Sequence, residues 1–116
     1  MTEYIVKYLE DVLNACNEVE SYFEGSPKLF EEFRCSMLKQ RAVERNVEIM
    51  GEAINKILKL DASFRLENAR AIIDTRNRVI HSYDNVTPEF LWSLVIRHIP
   101  ELKADVEQLL HQCEQR

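Results

Sequence analysis

The sequence predicts an all-α protein, an antiparallel helical bundle of about five helices forming one domain over residues 1–116. Two observations carry this. Apolar residues recur at three- and four-residue steps along most of the chain, which is the period of one helix face. Gly and Pro together number only five, which starves the chain of turns and favours long helices. No convincing strand, internal repeat or low-complexity tract interrupts the pattern. At 116 residues the chain can build one modest core but not a second independent one.

The first helix runs from Thr2 to about Glu24, with Ile5, Leu9, Val12, Cys16, Val19 and Phe23 on one face. Gly25 sits where a left-handed C-terminal cap belongs, and Ser26-Pro27 opens the next segment. A short helix through Leu29, Phe30 and Phe33 follows. Ser36 is the expected N-cap of the longest helix, MLKQRAVERNVEIMGEAINKILKL. There Leu38, Ala42, Ile49, Ala53 and Ile57 trace one stripe, widened by Val43, Val47, Met50 and Ile54. Gly51 inside this helix costs about 1 kcal/mol relative to Ala, so either a neighbouring backbone approaches closely there or the cost is simply tolerated. A fourth helix runs from about Leu66 to about Tyr83, ended by Asp84-Asn85. Thr87-Pro88-Glu89 then supplies an N-cap, a Pro at the first helical position and an acid in the first turn of a fifth. Pro100 makes PELKADVEQLLHQ a separate or kinked last helix.

Composition excludes several classes. The net charge of −5 argues against a protein that coats nucleic acid by bulk electrostatics, though it permits a local basic pocket. Cys16, Cys35 and Cys113 are odd in number and lack CxxC spacing, so free, buried or half-buried thiols are expected rather than disulfides or a zinc site. His81, His98 and His111 show no paired-ligand spacing, and no metal or cofactor is expected. No apolar run approaches the roughly 20 residues needed to cross a bilayer, and the acidic N-terminus does not resemble a signal peptide, so a cytoplasmic protein is expected.

The informative stretch is RNRVIHSY, residues 76–83. Advancing about 100° per residue places Ala69, Ile72, Ile73, Val79 and Ile80 on one apolar arc, with Arg76 and Tyr83 in its middle. Arg70, Asp74, Asn77, Arg78 and His81 lie opposite. Arg76 and His81 therefore point about 140° apart on a straight helix. A permanent charge on an apolar stripe needs a partner. For Arg76 that partner is either an acid such as Glu48 or Glu52, or a phosphate, which the guanidinium fork suits. Arg45, Glu48 and Glu52 lie within a turn or two of one another on the long helix, where the bland reading is a solvated ion-pair face. His81 suits a helix C-terminus without any chemistry, but imidazole also offers proton transfer near neutral pH. Tyr83 in isolation reads as a core aromatic with its hydroxyl reaching solvent. If Arg76 and His81 serve one phosphate, either the helix loosens near its end or two subunits share the site. A two-fold homodimer with this helix near its axis meets the need.

Arg76, four residues, His81, one residue, Tyr83 resembles the RX4HXY pattern of HepT-type toxins in the HEPN superfamily. Asn77 matches the polar residue that follows the arginine in that pattern. RAVERNVEIMGEAINKI resembles that family's Arg-x-x-Glu-x-x-Gly-Glu-Ala helix, and LWSLVIRHIPELKADVEQLL its C-terminal helices. The resemblance implies an all-α, HEPN-like homodimer acting as a metal-independent endoribonuclease, paired with a nucleotidyltransferase antitoxin. It implies that Arg76 holds and neutralises the scissile phosphate, Asn77 supports it, and His81 is the general acid or base. Arg45, Glu48 and Glu52 are expected to support the site. Tyr83 matches the tyrosine that the partner modifies with AMP. Ser82 departs from the pattern, which often has an acid there. Two other readings stay open: a non-catalytic substrate- or nucleotide-binding subunit of the nucleotidyltransferase, and a plain helical dimerisation domain.

Overall fold

The structure, a computed structural model, describes residues 2–81 and 86–114, the side chain of His81 excepted. Among them there are helices and no strand. Helix α1 (Glu3–Ser21) begins where the Thr2 hydroxyl accepts the Ile5 amide at 3.3 Å, and the turn after it passes through Gly25 at φ 79°. That is the left-handed conformation which glycine adopts without a Cβ penalty. A short α2 (Phe30–Arg34) leads into α3 (Met37–Leu60), whose N-cap Ser36 accepts the Lys39 amide at 3.2 Å. A 3-10 turn (Glu67–Ala69) precedes α4 (Arg70–His81), so the fourth helix starts in a tighter coil than its periodicity predicts. Helix α5 (Pro88–Ser93), capped by the Thr87 hydroxyl on the Phe90 amide at 3.2 Å, continues through a π-helical stretch (Leu94–His98) into α6 (Ile99–Glu114).

That π stretch answers the question Pro100 poses. A proline lacks an N–H and crowds the carbonyl four residues back, which breaks a regular helix. Here the wider turn comes just before it, with the Ile99 amide bonding to Leu94, so the helix runs on without a break.

Helix α1 packs against α3 and α6, and α3 also packs against α4. Leu9, Val12, Met50, Ile57, Ile72, Leu91, Leu94 and Leu102 are fully buried at the centre of the core. Burying each large aliphatic side chain is worth about 1.5–3 kcal/mol. Phe23, Phe33 and Trp92 stack with ring centroids 5.3–6.2 Å apart, closing one end of the bundle. The buried Gln40 is tied in: its Nε2 donates to the Phe33 and Arg34 carbonyls at 3.0 and 2.9 Å, joining α2 to α3.

The inward face of α3 is rotated from the stripe the sequence suggests. Leu38 is 82% exposed, and Ala42 and Ile49 are half-buried. The buried line is Val43, Val47, Met50, Ile54 and Ile57, with Gln40 and Asn46 beside it. Ile80 is likewise 48% exposed, although it was expected on the apolar arc of α4. Of the three free thiols, Cys16 is buried and Cys113 half-buried, but Cys35 is exposed because it caps the short α2 at the surface.

Candidate functional site

On α4 the buried line is Ala69, Ile72 and Thr75, with Ile73, Arg76 and Val79 half-buried beside it. Thr75 spends its hydroxyl on the Ala71 carbonyl at 2.7 Å, which makes a polar residue acceptable in the core. The outward face carries Arg70, paired with Asp74 at 3.5 Å, and Arg78, whose guanidinium lies 5.5 Å from the centre of the Phe90 ring. Arg76 belongs to neither surface. It enters the seam between α3 and α4.

Gly51 makes that seam possible. A Cβ built on Gly51 would stand 2.7 Å from Cβ of Arg76, 2.9 Å from its Cγ and 3.2 Å from its Cδ. Carbon atoms in contact prefer about 3.5–4.0 Å, so any side chain at position 51 collides with the arginine stem. The close neighbour at Gly51 is therefore a side chain rather than a backbone. The glycine in α3 is a notch, and the root of Arg76 fills it.

Among the described residues, the charge at the end of that stem has no carboxylate. Glu48 pairs with Arg45 at 3.4 Å and Glu52 with Lys56 at 3.5 Å, so the ion pair considered for Arg76 does not form with either acid. Among the described residues, Arg76 makes one side-chain hydrogen bond, a long one of 3.4 Å from Nη1 to Oδ1 of Asn77. Its Nε is buried without an acceptor. A buried unpaired guanidinium N–H is costly, and an incoming anion would satisfy it.

Of the other expected site residues, Asn77 is exposed beside Arg76. Arg45 lies on the outer side of α3, its side chain 70% exposed, bridged to Glu48. The backbone of His81 ends α4, but its side chain and all of Tyr83 lie outside the described residues. No group of three or more His, Cys, Asp or Glu among the described residues is placed to hold a metal ion. No described helix is long and apolar enough to cross a membrane.

Sequence reasoning missed one part of the surroundings. Side chains on a helix tilt toward its N-terminus. Helices α3 and α4 are antiparallel, since Gly51 meets Arg76 while Ile57 and Leu58 share a cleft with Ala69 and Ile73. The arginine thus leans toward the C-terminal end of α3, where Glu52, Asn55, Lys56, Leu58 and Lys59 line an open hollow with it. The signal was available: once Gly51 is paired with Arg76, the residues one and two turns later on α3 fall under the guanidinium.

An all-helical bundle whose fourth helix carries the Arg76 and His81 of an RX4HXY sequence, with the arginine seated in a glycine notch, is HEPN-like. The pattern described as "Ribonuclease HepT-like" matches residues 12–109, and the chain belongs to that HepT-like ribonuclease family. A Thermococcus cleftensis protein named "Probable ribonuclease HepT" is 35% identical over 103 residues, covering 88% of this chain and 92% of that one. A Caldanaerobacter subterraneus subsp. tengcongensis protein named "Putative RNase TTE0752" is 30% identical over 109 residues, covering 90% and 93%. A third relative, from Methanocaldococcus jannaschii and named "Putative RNase MJ0125", is 26% identical over 113 residues, covering 97% and 90%. No solved structure matches the chain.

Proposed function

We propose that this protein is the toxin of a toxin–antitoxin pair, a metal-independent endoribonuclease acting in the cytoplasm, with Arg76, Asn77 and His81 as its site. The observation that carries the reading is the Arg76 guanidinium, fixed at its root by the Gly51 notch and left without a carboxylate among the described residues. Such a group is an anion receptor prepared in advance, and family membership makes an RNA phosphate the anion. RNA supplies its own nucleophile. The 2′-hydroxyl gives up its proton and attacks phosphorus, and the 5′-oxygen leaves with a proton, giving a 2′,3′-cyclic phosphate. His81 serves as the general acid or base, worth about 10²–10⁴-fold. Arg76 neutralises the charge that builds on the phosphorane, and Asn77 orients it through the hydrogen bond at Oδ1.

Helical geometry favours a site made by two subunits. Helix α4 keeps its helical course from Arg70 through His81. Five residues of helix rotate about 140° and rise about 7.5 Å, so Arg76 and His81 of one chain diverge. A two-fold homodimer brings the arginine of one chain to the histidine of the other, and the half-exposed Ile80 gives that face apolar surface to bury. The partner enzyme, a nucleotidyltransferase antitoxin, silences the site by placing AMP on Tyr83, where its phosphate repels RNA.

The test is cleavage of a single-stranded RNA in the presence of EDTA, with Arg76→Ala and His81→Ala as paired variants. Loss of cleavage in both, and its recovery on mixing the two in a heterodimer, is the expected result. Intact RNA after prolonged incubation with the wild-type dimer refutes the nuclease, and full activity in either variant refutes the site. A one-chain mass by light scattering refutes the shared site.

A further inference from the structure

We propose that the hollow between the C-terminal half of α3 and Arg76 is a phosphate-binding subsite for an RNA nucleotide next to the one being cut. This rests on the ribonuclease reading of Arg76, and it adds Lys59, Lys56 and Asn55 to the residues that touch the strand.

The hollow has a volume of ≈ 410 Å3 and is lined by Glu52, Asn55, Lys56, Leu58, Lys59 and Arg76. Three cations face one carboxylate in a chain whose net charge is −5. Several basic residues of this protein are neutralised on their own helix: Lys7 by Asp11, Arg34 by Glu31, Arg41 by Glu44, Arg45 by Glu48, Arg70 by Asp74 and Arg97 by Glu101. Lys59 and Arg76 have no ion pair among the described residues, and the hollow brings these two cations together. The single acid, Glu52, is engaged by Lys56 at 3.5 Å, and Lys56 is also drawn over the Tyr8 ring at 5.5 Å. Glu52 therefore cannot neutralise the other two cations.

Lysine and arginine divide the work in the usual way. Arg76 is rigid and planar, suited to a fixed oxyanion geometry, whereas Lys59 is a flexible point charge that can follow a strand of any sequence. The Asn55 amide, half-buried on the wall, offers a donor to the same anion. An acidic protein can in this way hold single-stranded RNA through a few local contacts while its surface repels the polymer elsewhere.

The experiment is binding of a fluorescent 2′-O-methyl single-stranded oligonucleotide, which lacks the nucleophile, measured by anisotropy between about 50 and 200 mM salt. For single strands each neutralised phosphate contributes about 0.7 to the slope of log affinity against log salt, or about five-fold in affinity near 0.1 M relative to 1 M. Lys59→Ala is expected to lower the slope by about that amount and weaken binding about five-fold. Lys56→Ala/Lys59→Ala should lower both further, and Lys59→Arg should restore them. Lys28→Ala, an exposed cation outside the hollow, is the control and should leave both unchanged. An unchanged slope in the double variant, an equal loss in Lys28→Ala, or no binding by the wild type overturns the subsite. Cleavage separates the two proposals. A wild type that cuts RNA with no lysine effect keeps the nuclease and removes the subsite; lysine-dependent binding without cleavage does the reverse.

Discussion

Replacing Gly51 by Ala tests the seam between α3 and α4 with a single methyl group. The new Cβ would lie 2.7 Å from Cβ of Arg76, about 1 Å inside normal contact distance. Cβ is the root of the side chain and cannot swing aside as a flexible tip would. Either α4 moves away from α3 or Arg76 moves with its helix. Overpacking of this kind costs about 1–3 kcal/mol, while Ala regains about 1 kcal/mol of helix propensity over Gly. The net loss of stability is therefore small, about 0–2 kcal/mol. Activity is more sensitive, because a displacement of about 1 Å at a reacting centre can cost about 100-fold. RNA cleavage should fall by about that factor while the bundle still melts cooperatively. A double-mutant cycle read by urea denaturation isolates the cause: with Arg76→Gly in place the Cβ that clashes is gone, and Gly51→Ala should become stabilising by up to about 1 kcal/mol. Equal effects of Gly51→Ala in both backgrounds would refute the notch.

Two further outcomes follow from burial. Burial pushes the Cys16 thiol up to about 12 from its ordinary 9.0, with Glu20 adding to the effect. Between those values the unfolded chain binds fewer protons than the folded one, so stability should fall as pH rises above 9, and urea midpoints in Cys16→Ala should show a flatter alkaline limb. The same burial should make iodoacetamide label the exposed Cys35 first and Cys16 last, as read by peptide mass. On α4, Ile72→Ala should cost about 2–5 kcal/mol, because the site is fully buried. Ile80→Ala should cost under about 0.5 kcal/mol within one chain, and any larger, concentration-dependent loss would come from a partner subunit.

Two N-caps were legible because each rests on a local rule: Ser36 and Thr87 accept an amide three residues on, whereas α1 is capped at Tyr22 and Gly25 takes its left-handed conformation in the turn beyond. The orientation of α3 was less legible. Its period marks a broad apolar arc, but whether Leu38 or Val43 lies at the centre depends on where α1 and α4 arrive, which is tertiary information. Leu38, in the first turn of α3, has no helix above it. Arg76 stood out as an anomaly on its stripe. The meaning of Gly51 did not emerge until the two residues faced each other, because a glycine in a helix announces a close neighbour without naming it. The lysines of the hollow were silent for a similar reason: a cation near a helix C-terminus already has an explanation in the dipole.

The π turn ahead of Pro100 has a consequence for how the last third of the chain tolerates change. A π turn absorbs one extra residue, so the residues after it lie about 100° behind the course a regular helix would give them. Helix α5 presents Leu91 and Trp92 to the aromatic end of the bundle, and α6 presents Leu102 and Val106 to its core. The two faces are thus held in a fixed phase difference by the stretch from Leu94 to His98. Removing one residue there should let a regular helix form locally with both apolar faces still in phase, whereas adding one should turn one of them toward water. Substitutions in this segment preserve the phase, whereas a one-residue insertion shifts everything on one side of it, much as a frameshift does in a reading frame.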